Sequence, residues 1–243
     1  QYPDLSLAEF RARLRELPCC TTNAEGTSEG DPLNVVLVGR GETALAALSG
    51  SGWTFTEAIT VDSVRRMVGA AIAERSMLTA PVSSLHAFGR KQDIALQRGR
   101  STISQRNHMR LWLAPFRCEG QPVWVGQVSR DIGVRMTSKS PTFTTHVIDP
   151  VVDEAREYLL HSLLFHEAVD RFAFVRGVGA ATEENPRRNL TGDPYITDGT
   201  RLVAWLSDEP VAPEAADNLK WIESTDPVRE GKGEEATVPF RQP

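Results

Sequence analysis

The stretch Arg106-Asn107-His108-Met109-Arg110-Leu111-Trp112-Leu113 decides how the rest of the chain is read. As a strand, its period of two puts Arg106, His108, Arg110 and Trp112 on one face and Met109, Leu111 and Leu113 on the other. The wholly apolar face belongs against the core. The opposite face then carries two guanidiniums around an imidazole, which repel one another unless something negative lies beside them. Carboxylates are at hand in Asp93, in Asp131 at the end of the next strand, and in Asp149 just after His146. A solvated face crossed by structural salt bridges fits these residues, and so does a site for an anion.

Outward from this segment, residues 82–88, 108–113, 123–128 and 143–148 read as successive strands separated by turns, an order that favours antiparallel pairing. Upstream, Leu7, Phe10, Leu14 and Leu17 recur at helical spacing over residues 6–17, and Pro18 closes that helix. A buried-strand run follows at 33–38, then a helix at 42–48 and a second at 61–74 with Thr60 as its N-cap. Downstream, Asp149 before Pro150 reads as the N-cap of a helix over 151–169. Strands at 172–175 and 202–206 flank a glycine-rich loop over 177–199. The order βαα, ββββ, αββ predicts an α+β fold: a mixed, largely antiparallel sheet covered by helices, in a single domain over residues 1–207. The acidic, proline-bearing residues 208–243 are expected to wrap the surface or fray.

A chain of 243 residues, 40% hydrophobic, is long enough for one sizeable core. Its net charge of -5 provides no broad basic field, so nucleic acid is not an expected partner. Arginines far outnumber Lys91, Lys139, Lys220 and Lys232, which suits bidentate binding of carboxylate or phosphate, although a GC-rich genome produces the same bias. No apolar run has the length of a membrane helix, and the chain opens at Gln1 without an apolar leader, as expected of a processed or trimmed product. Cys19 and Cys20 are adjacent, an arrangement in which a mutual disulfide is strained and rare. A bond from either to Cys118 would suit an oxidising periplasm, and three buried thiols would suit the cytosol.

Gly39, Gly41 and Ala44 fit the dinucleotide pattern G-x-G-x-x-A after a strand, but the window that should hold a second parallel strand and an acidic residue holds Trp53 and Phe55. A tight strand-to-helix turn explains them, and the same discount applies to Gly177 and Gly179. His108 and His146, with Asp131, are the candidate catalytic residues; each histidine fits a general base, a phosphate ligand or a metal ligand. Their spacing matches no zinc signature, so no metal is assigned and no cofactor is named. His161 and His166, five apart on a helix, point in different directions and read as solvated. Arg90, Arg106, Arg110, Arg187 and Arg188 are the candidate anion-binding residues. The last two lie in Asn185-Pro186-Arg187-Arg188-Asn189-Leu190-Thr191-Gly192-Asp193-Pro194, which reads either as a lid over the Arg106 face or as a connector pinned by its own Asp side chains.

Several phrases together resemble the LssY C-terminal domain family over most of residues 17–207. They are Leu17-Pro18-Cys19-Cys20-Thr21-Thr22-Asn23, Gly30-Asp31-Pro32-Leu33-Asn34, the element from Gly89-Arg90 to Asp93, and the Arg106 strand. Thr145-His146-Val147-Ile148-Asp149-Pro150, Arg176-Gly177-Val178-Gly179-Ala180 and Asn189-Leu190-Thr191-Gly192-Asp193-Pro194-Tyr195 complete the set. Members often follow DedA-like and acid-phosphatase-like membrane segments, which this chain lacks. The resemblance therefore implies a bacterial periplasm or cell envelope and a phosphorylated small molecule or lipid headgroup, with the cytoplasm left open by the cysteines. It carries over no catalytic residues. Two functions follow as expectations: a hydrolase-like domain acting on a phosphorylated or lipid-linked phosphate substrate, or a non-catalytic module that binds an anionic headgroup or a partner protein, a membrane protein among them.

Overall fold

Two long strands organise the chain, and a two-residue turn joins them. They are β9 (Arg106–Cys118) and β10 (Gln121–Met136), longer than the sequence runs of 108–113 and 123–128 suggest. Between them Glu119 and Gly120 both adopt positive φ, 48° and 78°, the geometry of a type I′ hairpin that matches the twist of its strands. The computed structural model describes residues 2–56, 85–99, 106–136 and 144–222. The helix read over 61–74 and the start of the strand read over 82–88 lie outside these residues.

Before the hairpin come β1 (Asp4–Leu5), α1 (Leu7–Glu16), β2 (Cys20–Thr22), β3 (Glu29–Pro32), β4 (Val35–Val38), α2 (Gly41–Gly50) and β5 (Thr54–Phe55). The short β6 (His86–Ala87) and β7 (Arg90–Lys91) then lead into β8 (Ile94–Gly99). After the hairpin come β11 (Thr144–Ile148), α3 (Val152–Phe165), β12 (Val169–Arg176), β13 (Arg187–Arg188), β14 (Pro194–Tyr195), β15 (Thr200–Leu206) and β16 (Asp217–Asn218). The main sheet runs β16-β12-β15-β4-β10-β9-β8-β5, with β1 beside the end of β9 and β11 beside the end of β10. Parallel pairing joins β1 to β9, β4 to β15 and β12 to β16; the other pairs are antiparallel. The fold is α+β with a mixed, largely antiparallel, open sheet, as the order of elements implies.

Both faces of this sheet are core. On one, Met109, Leu111, Trp124 and Val128 pack with Ala44 and Leu48 of α2 and with Leu159 and Leu163 of α3. On the other, Trp112, Ala114, Phe116 and Val125 pack with Phe10 and Leu14 of α1. α1 presents those two residues inward as its spacing predicts, and Ser6 and Glu9 form a reciprocal capping box at its start. The expected cover of helices is only part of the answer. A second sheet, β3-β2-β6-β7, brings Leu85 and Ala87 onto the α1 face, so strands and loops share the covering with helices.

Two local expectations change, and a third resolves to one of its two alternatives. The cap of α3 is Val151, not Asp149, because the Asp149 carboxylate accepts from the Val151 amide and is claimed across the sheet by Arg130. The stretch after Asp208 wraps the sheet as far as Ile222: β16 extends β12, and Trp221 packs edge-on against Trp205 and Phe10. Cys19 and Cys20 are bonded to each other, against the expectation from their adjacency, while Cys118 is a free thiol. Cys118 is buried in the α1-side core, and burial pushes its thiol up to about 12. Among the described residues, no helix is long and apolar enough to cross a membrane.

Candidate functional site

At its Arg106 end, the α1-side face of the sheet changes from apolar to polar without becoming exposed. β9 alternates as predicted, and its neighbours extend each position into a row across three strands. Gln97 of β8 and Ser129 of β10 flank His108, and Ala95 and Gln127 flank Arg110. All of these side chains are buried. Sequence reasoning placed this face opposite the core; it is instead the polar end of a second core, continuous with Trp112.

The negative charge that the two arginines require comes from the chain itself. His108 Nε2 lies 2.6 Å from Asp131 Oδ2, and both side chains are almost fully enclosed. Arg110 donates to Gln127 Oε1 at 3.1 Å, and Arg106 donates to Gln97 Oε1 at 3.0 Å. Asp31 of β3 is the second carboxylate, and its environment is informative. Burial pushes its carboxyl above the ordinary range, while the Arg110 charge and a hydrogen bond from Asn189 pull it back only in part, and Asp131 adds repulsion. A buried carboxyl whose hold on its proton is strengthened, near an imidazole 2.6 Å from a second carboxylate, brings an acid and a base together on one sheet face.

The loop between β13 and β14 reaches this cluster, although not through its arginines. Asn189 folds the loop on itself by accepting from the amides of Thr191 and Asp193, and both Asn189 and Asp193 are buried. A Cβ on Gly30 would come within 2.9 Å of Leu190 Cγ, so only glycine lets the loop lie this close to β3. Arg187 turns away to Glu29, to the Val178 carbonyl and to Cys19 Sγ, and Arg188 reaches the Gly192 carbonyl. Arg90 binds Asp93 and the Leu113 carbonyl, five residues along β9 from His108 and so roughly 17 Å distant by strand rise. His146 sits on β11 with Val134 as its Cα partner, whereas Ile148 stands opposite Asp131. Thus His108, Asp131, Arg106 and Arg110 come together, His146 lies further along the ladder, and Arg90, Arg187 and Arg188 serve other contacts.

Asp31, Gln97, Gln127 and Asn189 are members that sequence reasoning did not single out. Asp31 and Asn189 stood inside phrases quoted for their resemblance, which was the available signal. Other candidate sites resolve structurally. The N-terminus of α2, where a pyrophosphate would sit in a dinucleotide fold, is occupied by Asp208, which accepts from Thr43 and from Arg40. Among the described residues, the set of three potential metal ligands within 4.8 Å of one another is Cys19, Cys20 and Glu29. Those sulfurs are joined in a disulfide and Arg187 contacts both Cys19 and Glu29, so the set does not suit a metal.

The Asp31 environment yields a stability prediction. A carboxyl with a raised value in the folded state binds its proton more tightly than in the unfolded chain, so its contribution is present at acid pH and is lost as pH rises through the folded value. Asp31→Asn removes that loss. The melting temperature of the variant should exceed that of the wild type by roughly 2–4 °C at neutral pH, with the gain vanishing below about pH 4. A variant no more stable at either pH would mean that the native carboxylate is ionised and well held.

Fold and cluster together define a mixed α+β domain with a buried acid–base group on a sheet face. The chain belongs to the family described as LssY C-terminus, which matches residues 12–200. No curated protein matches it, and no solved structure does.

Proposed function

We propose that the polar end of the β8-β9-β10 face is the site of a hydrolase-like domain that acts on a phosphoester, of a small molecule or a lipid, in the bacterial periplasm or envelope. The observation that carries this reading is the His108–Asp131 pair at 2.6 Å, near a second carboxyl on Asp31 that burial pushes above the ordinary range. Asp131 orients the imidazole and stabilises its cation. His108 takes the proton from the attacking water as its oxygen bonds to phosphorus, and Asp31 gives a proton to the leaving oxygen as that bond breaks. Arg106 and Arg110 hold the charge that develops on the phosphoryl oxygens. Because Asp131 already offsets part of the positive charge of Arg106, Arg110 and a protonated His108, the balance of charge favours proton transfer over a plain anion cradle.

The test is turnover of p-nitrophenyl phosphate and of phosphatidic acid in mixed micelles, with and without divalent ions. His108→Gln is expected to lower the rate about a hundredfold or more, with a circular dichroism spectrum like that of the wild type showing that the variant is folded. If the wild type consumes neither substrate, the enzymatic reading fails for this class. The deep burial of these side chains favours one second reading, a non-catalytic module for an anionic headgroup. It requires sedimentation with phosphatidic acid vesicles to be lost in Arg106→Ala and Arg110→Ala and kept in His108→Gln.

A further inference from the structure

The other side of the same strand holds a different feature. Asn107, one residue before His108, faces α3 in the manner of Met109 and Leu111. It is 1% exposed, and among the described residues neither its Oδ1 nor its Nδ2 has a hydrogen-bond partner. A buried amide without partners costs about 1–3 kcal/mol for each group left unmade, and a chain retains such a group where something else completes it. Asn107 lines a cavity of about 380 Å³ between β9, the Arg130 position of β10 and the first half of α3, whose wall includes Asp153, Glu154, Glu157, Tyr158 and His161.

From these residues we infer that the cavity binds a small planar ligand, uncharged or cationic, with an adjacent hydrogen-bond donor and acceptor on one edge, as in a nucleobase or a carboxamide. The orphaned amide sets the edge, since an asparagine offers one acceptor and two donors in one plane and pairs bidentately with such a group. The wall sets the charge. Arg130 is the cationic side chain of the lining, and it is committed to Asp149 and Glu154. With Arg130 neutralised in this way, Asp153 and Glu157 leave the lining disposed against a phosphate, even though Arg156 pairs with both. Tyr158 supplies an aromatic wall, its ring fixed by the Arg98 guanidinium 4.8 Å from the centroid. The volume lies at the small end of ligand pockets, a size suited to a nucleoside. The inference concerns the face opposite His108 and stands whether or not the hydrolase reading does.

The experiment is titration calorimetry of the full chain with adenosine, cytidine and nicotinamide, using adenosine monophosphate as the anionic control. At least one uncharged probe is expected to bind at millimolar concentration or below, and the monophosphate about tenfold more weakly than adenosine. Asn107→Leu keeps the volume and relieves the buried amide. It should melt no lower than the wild type while binding the same probe about ten- to a hundredfold more weakly. Should that variant fail to fold, Tyr158→Ala must weaken the probe instead, and His108→Gln must leave it unchanged. The inference is overturned if none of the three uncharged probes binds, if the monophosphate binds as well as adenosine, or if the cavity variant binds like the wild type.

Discussion

Replacing Arg201 with methionine is expected to leave the domain too unstable to be recovered as a folded, soluble protein. Arg201 is 0% exposed, and its five acceptors are all main-chain carbonyls, those of Leu14, Leu17, Pro18, Leu33 and Gly177. Burial lowers its guanidinium to about 10, which leaves it charged at neutral pH. The Leu14 and Leu17 carbonyls belong to the last turn and C-cap of α1, where intrahelical partners run out, Pro18 follows them, and the others belong to the approach to β4 and the end of β12. Hydrogen bonds from a charged donor contribute about 1.5–3 kcal/mol each. Losing even two or three of them consumes much of the 5–15 kcal/mol typical of a whole domain. Gly177 is part of the same joint, because a Cβ there would lie 2.9 Å from the Leu14 carbonyl and 3.1 Å from Arg201 Nη1. Soluble yield and chemical unfolding monitored by circular dichroism provide the measurement. Arg201→Lys, with at most three donors, should be intermediate; an Arg201→Met protein that melts within a few degrees of the wild type would refute this role.

Arg156→Met is the second large effect, and it should depend on pH. This arginine of α3 is 2% exposed at its side chain, binds both carboxylate oxygens of Asp198 and the Thr200 carbonyl, and pairs with Asp153 at 3.2 Å. Burial alone would lower its guanidinium, but the Asp198 hydrogen bonds and the surrounding carboxylates outweigh it and the net shift is upward. On the other side of the pair, burial would raise Asp198, and the bonds from Arg156 and Thr200 overcome that and lower it. A depressed carboxyl contributes stability above its unfolded value of about 4, and that contribution is lost as pH falls through the lower folded value. Removing Arg156 strands two partly buried carboxylates, at a cost of about 3–5 kcal/mol near neutrality. Urea unfolding at pH 7 and pH 4 should show the deficit shrinking in acid as those carboxyls protonate. An equal deficit at both would assign the loss to packing against Phe174, whose ring lies under the guanidinium.

Local pattern was enough for much of this architecture. The alternation in β9 separates Met109 and Leu111 from His108 and Arg110 without any knowledge of neighbours, and the next aspartate along the chain, Asp131, is the one that meets the imidazole. What alternation does not reveal is whether a face is covered. Arg106, His108 and Arg110 resemble a wetted surface in one dimension, yet His108 and Arg110 are buried and Arg106 is half-buried. Asp31 is invisible for a related reason: its meeting with Arg110 joins two sheets, while its neighbours Gly30 and Pro32 suggest only a turn. Arg90, by contrast, is satisfied by Asp93 three residues away, a pairing available from the sequence itself. The cap assigned to Asp149 fails because Arg130, nineteen residues earlier, takes Oδ2 while the Val151 amide takes Oδ1.

The position of β15 has a practical side. It lies between β4 and β12, so the strand that closes the middle of the main sheet is synthesised after every other described strand of that sheet except β16, and Leu202 to Leu206 fall after the final residue of the family match. A polypeptide trimmed to the matched stretch would present two raw sheet edges to solvent and to its own copies. Recombinant work on relatives therefore does well to set its downstream limit beyond the residue equivalent to Trp221, where the last aromatic ring of the core is delivered.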